Sequence, residues 1–163
     1  MTAAEKMRMK AVARPLSKQR LRLWLRMLRA TRAVEVELRE RLRTEFSVTL
    51  PQFDVMAALE RQEDGMSMTE LSRMLMVSNG NVTGIIDRLA AEKLVLRQAP
   101  ANDRRSYIVR LTPKGAAQFA AMAKAHETWI DGFLAGIDAA EAEGLMQQLE
   151  GIATHVRSGE RQP

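Results

Sequence analysis

Apolar residues recur at helical spacing over most of the chain. Leu21, Trp24, Leu25, Leu28, Leu38, Leu42 and Phe46 predict one long helix from Ser17, its N-cap, to about Phe46. Phe53, Met56, Ala57 and Leu59 give a second helix capped by Thr49, with Pro51 in the first turn, where a missing N–H costs nothing. Gly65 ends it, and a short extended piece follows over 66–68. Residues 69–75 form a brief third helix. After the turn Met76-Val77, Ser78 caps a fourth helix reaching about Lys93, with Val82, Ile85, Ile86 and Leu89 inward. Residues 95–99 and 107–111 flank a polar turn. The alternation of Tyr107, Val109 and Leu111 with Ile108 and Arg110 suits a two-stranded hairpin.

Thr112 then caps a fifth helix with Pro113 at its first position. Phe119, Met122, Trp129, Ile130, Phe133, Leu134 and Ile137 form its stripe. A last helix starts at Asp138 and carries Leu145, Met146, Leu149, Ile152 and Val156. The expected fold is mainly α with a small β-hairpin. The expected divisions are a basic flexible tail over 1–16, an N-terminal helix over 17–48, a compact unit over 49–115, C-terminal helices over 116–157 and a tail over 158–163.

Composition narrows the chemistry. The 163 residues include no cysteine, which removes disulfides, thiol nucleophiles, Cys-based zinc sites and thiol redox sensing. No apolar run is long enough to span a membrane, and the N-terminus has no apolar block behind its basic residues. A cytoplasmic protein is expected. Four Phe, two Trp and one Tyr are few for a base-stacking platform. Gly-x-Ser-x-Gly, His-Glu-x-x-His, a phosphate loop and Gly-x-Gly-x-x-Gly are all absent, so no enzyme is expected. His126 and His155 fall on different helices without acidic partners, so no metal and no cofactor is expected.

The net charge of +5 is unevenly placed. Residues 1–46 hold 13 basic and 5 acidic side chains, whereas residues 116–163 hold 3 and 7. The first third therefore meets an anion or lies near one. Lys18, Arg22, Arg26 and Arg29 stack on one helix face at spacings of four, four and three. A solvated face, an auxiliary contact to DNA phosphates and a site for a polyanionic effector are all open readings of this ridge.

Helix, three-residue turn, helix and hairpin make a winged helix-turn-helix layout. A major groove about 12 Å wide admits one helix, and the helix before it braces across the backbone. The segments Leu50-Pro-Gln-Phe-Asp-Val-Met-Ala-Ala-Leu59, Thr69-Glu-Leu-Ser72, Val77-Ser-Asn-Gly-Asn-Val-Thr-Gly-Ile-Ile-Asp-Arg-Leu89, Asp103-Arg-Arg105 and Leu111-Thr-Pro-Lys-Gly115 closely resemble the MarR family of bacterial transcriptional regulators. The resemblance spans roughly residues 17–157, and Asp-x-Arg followed by Leu-Thr-x-x-Gly is its most specific part. It implies a homodimer with interlaced terminal helices, two recognition helices in successive major grooves of a pseudo-palindromic operator, and repression relieved by a small aromatic or anionic ligand.

On this resemblance Ser78, Asn79, Gly80, Asn81 and Thr83 open the recognition helix, where short polar groups reach base edges or phosphates. Gly80 and Gly84 cost about 1 kcal/mol each against Ala in a helix, which points to close approach to the groove or to a weakly specified helix start. Many relatives carry a basic residue where Gly84 stands, leaving Arg88 as this helix's basic contact. Arg105 corresponds to the wing arginine that enters the minor groove, with Asp103 shaping the wing and Arg104 on phosphate. Arg73, on the bracing helix, meets a phosphate or an acidic neighbour.

The stretches over 16–26 and 76–84 look like a branch of the family that controls breakdown of plant-derived aromatic acids. Some of its members answer to hydroxycinnamoyl-CoA thioesters such as p-coumaroyl-CoA or feruloyl-CoA. Arginine forks suit the phosphates of coenzyme A, so the ridge of Lys18, Arg22, Arg26 and Arg29 is the expected phosphate site. Trp24, Met27, Phe53, Met56, His126 and Trp129 are the candidates for an aryl pocket, with plain core packing as the alternative for each.

Overall fold

The computed structural model describes residues 15–98 and 107–159. Its elements are α1 (Leu16–Phe46), α2 (Leu50–Glu60), β1 (Met66–Ser67), α3 (Met68–Leu75), α4 (Asn79–Ala91), β2 (Val95–Gln98), β3 (Ile108–Leu111), α5 (Pro113–Phe133) and α6 (Ala139–Gly159). The chain divides into two compact units, one up to Leu50 and one from Pro51 onward.

In the first unit α1 runs 31 residues. It starts one residue before the expected cap: Pro15 occupies the N-cap position, without a side-chain hydrogen bond, and Ser17 is already helical. Pro15 fits there because its own N–H is not needed, and its carbonyl accepts from the N–H of Lys18. At the other end Ser47 takes the left-handed conformation and donates its N–H to Arg43 O. Leu38 and Leu42 are buried, but Leu21, Trp24 and Leu25, expected inward, are 43–58% exposed.

In the second unit, buried Val55, Met56, Leu59, Leu71, Val82, Ile86, Leu89, Leu94 and Val109 form the core around which α2, α3, α4 and the sheet are built. The sheet has three strands in the order β1-β3-β2, all antiparallel. The expected two-stranded hairpin is thus joined by the short extended piece, with Met66 opposite Val109. The left-handed Gly65 makes this pairing feasible, because a Cβ there would stand 2.5 Å from Val109 O.

Ser67 starts α3 with a full capping box. Its hydroxyl accepts from the Glu70 N–H at 3.2 Å, while its own N–H donates to Glu70 Oε2 at 2.8 Å. These bonds, the backbone one first, hold the Glu70 carboxyl below the usual carboxylate range. α4 ends at Ala91, two residues short of the expected Lys93, because Lys93 has left-handed φ 62° and turns the chain into β2. The last helix, α6, is opened by reciprocal bonds between Asp138 and Glu141, as its sequence start predicts, and buries none of its residues.

Candidate DNA-reading site

The site is built on the turn between α3 and α4. Met76 adopts left-handed φ 52° and donates its N–H to Arg73 O, while the Val77 N–H reaches Ser72 O. The Ser72 hydroxyl donates to Val77 O at 2.6 Å, so both strands of the turn are tied. Met76 stands where a glycine would carry no Cβ penalty, and it is 92% exposed. Ser78 then caps α4, its hydroxyl accepting from the Asn81 N–H at 3.3 Å.

Val82, Ile86 and Leu89 anchor one side of α4 in the core. The opposite side carries Gly80, Gly84 and Arg88, spaced by four. Ser78, Asn79, Gly80, Asn81, Thr83, Gly84 and Arg88 are all exposed, so the residues expected to read DNA share one open surface. Ideal Cβ atoms on Gly80 and Gly84 would meet nothing within 4 Å. Internal packing therefore does not require either glycine. Thr83 already donates its hydroxyl to Asn79 O at 2.9 Å, so it must rotate to meet a base. Arg73, on α3, is exposed and one turn beyond Glu70. Asp103, Arg104 and Arg105 lie outside the described residues.

The Leu-Thr-x-x-Gly segment fixes the back of this site. Thr112 donates its hydroxyl to Lys93 O at 2.8 Å and accepts from the Gly115 N–H at 2.9 Å. Lys114 Nζ donates to Glu92 O at 2.8 Å, capping the carbonyl end of α4 with a cation. One five-residue motif thereby starts α5, closes α4 and carries β3 past β2. Sequence reasoning missed one ion pair here: Arg97 Nη2, on β2, donates to Asp87 Oδ1, on α4, at 2.5 Å. A basic residue three before the wing turn, with an acidic residue one helical turn from the end of α4, was the available signal.

The residues proposed for a ligand separate into two kinds. Lys18, Arg22, Arg26 and Arg29 are exposed on α1, and none has an ion-pair partner among the described residues. Arg22 and Arg26 line a shallow groove with Gln19 and Leu23. Farther along α1, by contrast, Arg39 pairs with Glu35, Arg41 with Glu37 and Arg43 with Glu40. Trp24 is 55% exposed and Met27 partly so. In the second unit Phe53 stacks on His126, ring centroids 4.9 Å apart, and meets Phe119 at 5.5 Å. Phe53, Met56 and Trp129 are buried, and burial pushes the His126 imidazole below its ordinary value. No group of three or more potential metal ligands occurs among the described residues, and no helix there is long and apolar enough to cross a membrane.

The sequence profile of the MarR family matches residues 48–107, from the start of α2 to the wing. A MarR family transcriptional regulator from Silicibacter pomeroyi, of known crystal structure, is 31% identical. The similarity covers 86% of this chain and 96% of that one, with a TM-score of 0.73. The transcriptional activatory protein BadR of Rhodopseudomonas palustris is 39% identical over 87 residues, which span 52% of this chain but only 45% of BadR. A mutant MarR from E. coli, crystallised with operator DNA, shares the fold at a TM-score of 0.72 and 24% identity, over 85% of this chain and 98% of that one. With its helix-turn-helix and wing matched by the family profile and nearly its whole length matched by a member of known structure, the chain belongs to the MarR family of DNA-binding transcriptional regulators.

Proposed function

We propose that the protein binds a pseudo-palindromic operator as a homodimer, represses transcription there, and is released by a small aromatic effector, a hydroxycinnamoyl-CoA thioester. The observation that carries the DNA reading is the outward side of α4, where short polar residues, two glycines without internal neighbours and Arg88 form one exposed surface beside the wing. The E. coli structure with operator DNA supports double-stranded DNA as the partner. Self-association is supported by apolar rows left open in each unit: Leu21, Trp24 and Leu25 on α1, and Leu145, Leu149, Ile152 and Val156 on α6, all at least 43% exposed. Two half-sites about one helical turn apart then match the two-fold symmetry.

The effector reading rests on the cations of α1. Four basic side chains on one face of α1, without an ion-pair partner among the described residues and with no carboxylate on α1 before Glu35, suit a diphosphate and a 3′-phosphate better than a single carboxylate. An anion captured by α1 adds negative charge to a protein that must meet DNA phosphates, which lowers operator affinity by repulsion, and its binding favours an arrangement that fits DNA less well.

The test is fluorescence anisotropy with DNA from upstream of the protein's own gene, at fixed near-physiological salt. It is run alone and with p-coumaroyl-CoA, p-coumaric acid or free coenzyme A. Specific binding lost only with the thioester is the expected result. Specific binding indifferent to all three keeps the regulator and removes this effector.

A further inference from the structure

The recognition helix carries a carboxylate beside its DNA-reading surface. Asp87 stands one residue before Arg88 and three after Gly84, and its side chain is 57% exposed even with its partner in place. A bare carboxylate there would face the phosphate backbone of any duplex that α4 enters. Like charges about 4–8 Å apart near a protein surface repel more strongly than in bulk water, and duplex DNA carries one charge per about 1.7 Å of axis.

Arg97 answers this charge. It projects from β2, in register with Val109 of the central strand, and its Nη2 meets Asp87 Oδ1 at 2.5 Å. The Arg97 side chain is 31% exposed, less than that of the carboxylate it covers. The guanidinium is thus engaged by the protein before DNA arrives.

We propose that Arg97 is a charge-masking residue for DNA reading: it acts through Asp87, cancelling the carboxylate that the recognition helix would otherwise turn on the operator, and is not itself a phosphate ligand. The inference rests on the DNA-reading assignment above. It differs from a scaffold role, in which losing either partner would harm binding equally.

The experiment measures operator affinity at fixed salt for the wild type, R97Q, D87N, R97K and the double variant R97Q/D87N, with thermal melts of each. R97Q is expected to bind about tenfold more weakly, the size of one unmasked like charge at a binding surface. D87N and R97K are expected to stay within about twofold of wild type, and adding D87N to R97Q should recover most of the loss. A double variant as weak as R97Q makes Arg97 a direct phosphate ligand and overturns the proposal. So does wild-type affinity in R97Q, or a D87N loss equal to that of R97Q. If R97Q melts below the assay temperature, the double variant and R97K decide alone: weak binding by either, when folded, overturns the idea. A wild-type protein that binds no operator fails before any variant is compared, which marks the DNA-reading assignment as the error and takes this proposal with it.

Discussion

Gly115 lies so close to β2 that a Cβ on it would stand 1.9 Å from the carbonyl oxygen of Leu94. That oxygen is already engaged by the Thr112 N–H at 3.0 Å, so it is held against the start of α5 from both sides. The obstacle is backbone, and neither α5 nor β2 can yield without breaking the Thr112 bonds to Lys93 and Gly115. Gly115→Ala is therefore expected to destabilise the fold by about 3 kcal/mol or more, at the upper end of overpacking costs. The urea midpoint measures it. A wild-type midpoint would show that α5 slides on β2 freely.

Much of this architecture is legible in the sequence where a local rule and the packing agree. Thr112-Pro113 marks a helix start that the structure keeps, and so does Asp138 with Glu141 three residues on. Ser67-Met-Thr-Glu70 carried the same kind of signal for α3, yet the helix was expected one residue late because Ser67 also sits in a strand. The third strand was legible only as a short extended piece over 66–68: two residues have no periodicity to mark a sheet, and their pairing with β3 spans more than forty positions. The same limit hid the Asp87–Arg97 pair, which depends on how β2 leaves α4. Trp24 and Leu25 fail differently. Their spacing predicts a buried face, and the chain alone leaves that face open.

His126 links pH to stability. Its imidazole stacks on Phe53, and burial lowers its pKa in the folded state below the ordinary 6.5. Between those two values the unfolded chain binds a proton that the folded chain does not. Its contribution is therefore intact above about pH 6.5, declines as pH falls through 6.5 toward the folded value, and levels off below it. Thermal melts between about pH 7.5 and 5 should show this decline for the wild type. His126→Phe keeps a ring on Phe53 and removes the titration, so its melts should lose that part of the slope. An unchanged slope would place the pH dependence elsewhere.

Gly84 separates stability from reading. Its missing side chain has open space around it, so Ala fits the free protein without displacing anything. Gly84→Ala is expected to stabilise α4 by about 0.5–1 kcal/mol. If the glycine serves close approach to the groove, the same change weakens operator binding while the melting temperature rises. Paired melts and anisotropy titrations read both effects. A variant that is more stable and binds as well as wild type would make Gly84 only a weak point in the helix.

The row Leu145, Leu149, Ile152 and Val156 follows spacings of four, three and four along α6, and each side chain is about half exposed. Burying the exposed half of an aliphatic side chain of this size contributes about 1 kcal/mol, so four on each of two copies contribute several kcal/mol against the cost of association. Placing carboxylates in that row leaves buried charges unpaired. The double variant Leu149→Glu with Ile152→Glu should sediment at half the wild-type mass at micromolar concentration. Its α4 is untouched, so one half-site can still be engaged. Losing the second half-site also removes that half's share of phosphate contacts, and operator affinity should drop by about two orders of magnitude or more with a shallower salt dependence. A variant that keeps its wild-type mass would mean that this row does not hold the dimer together, and a true monomer with undiminished operator affinity would refute the two-half-site reading.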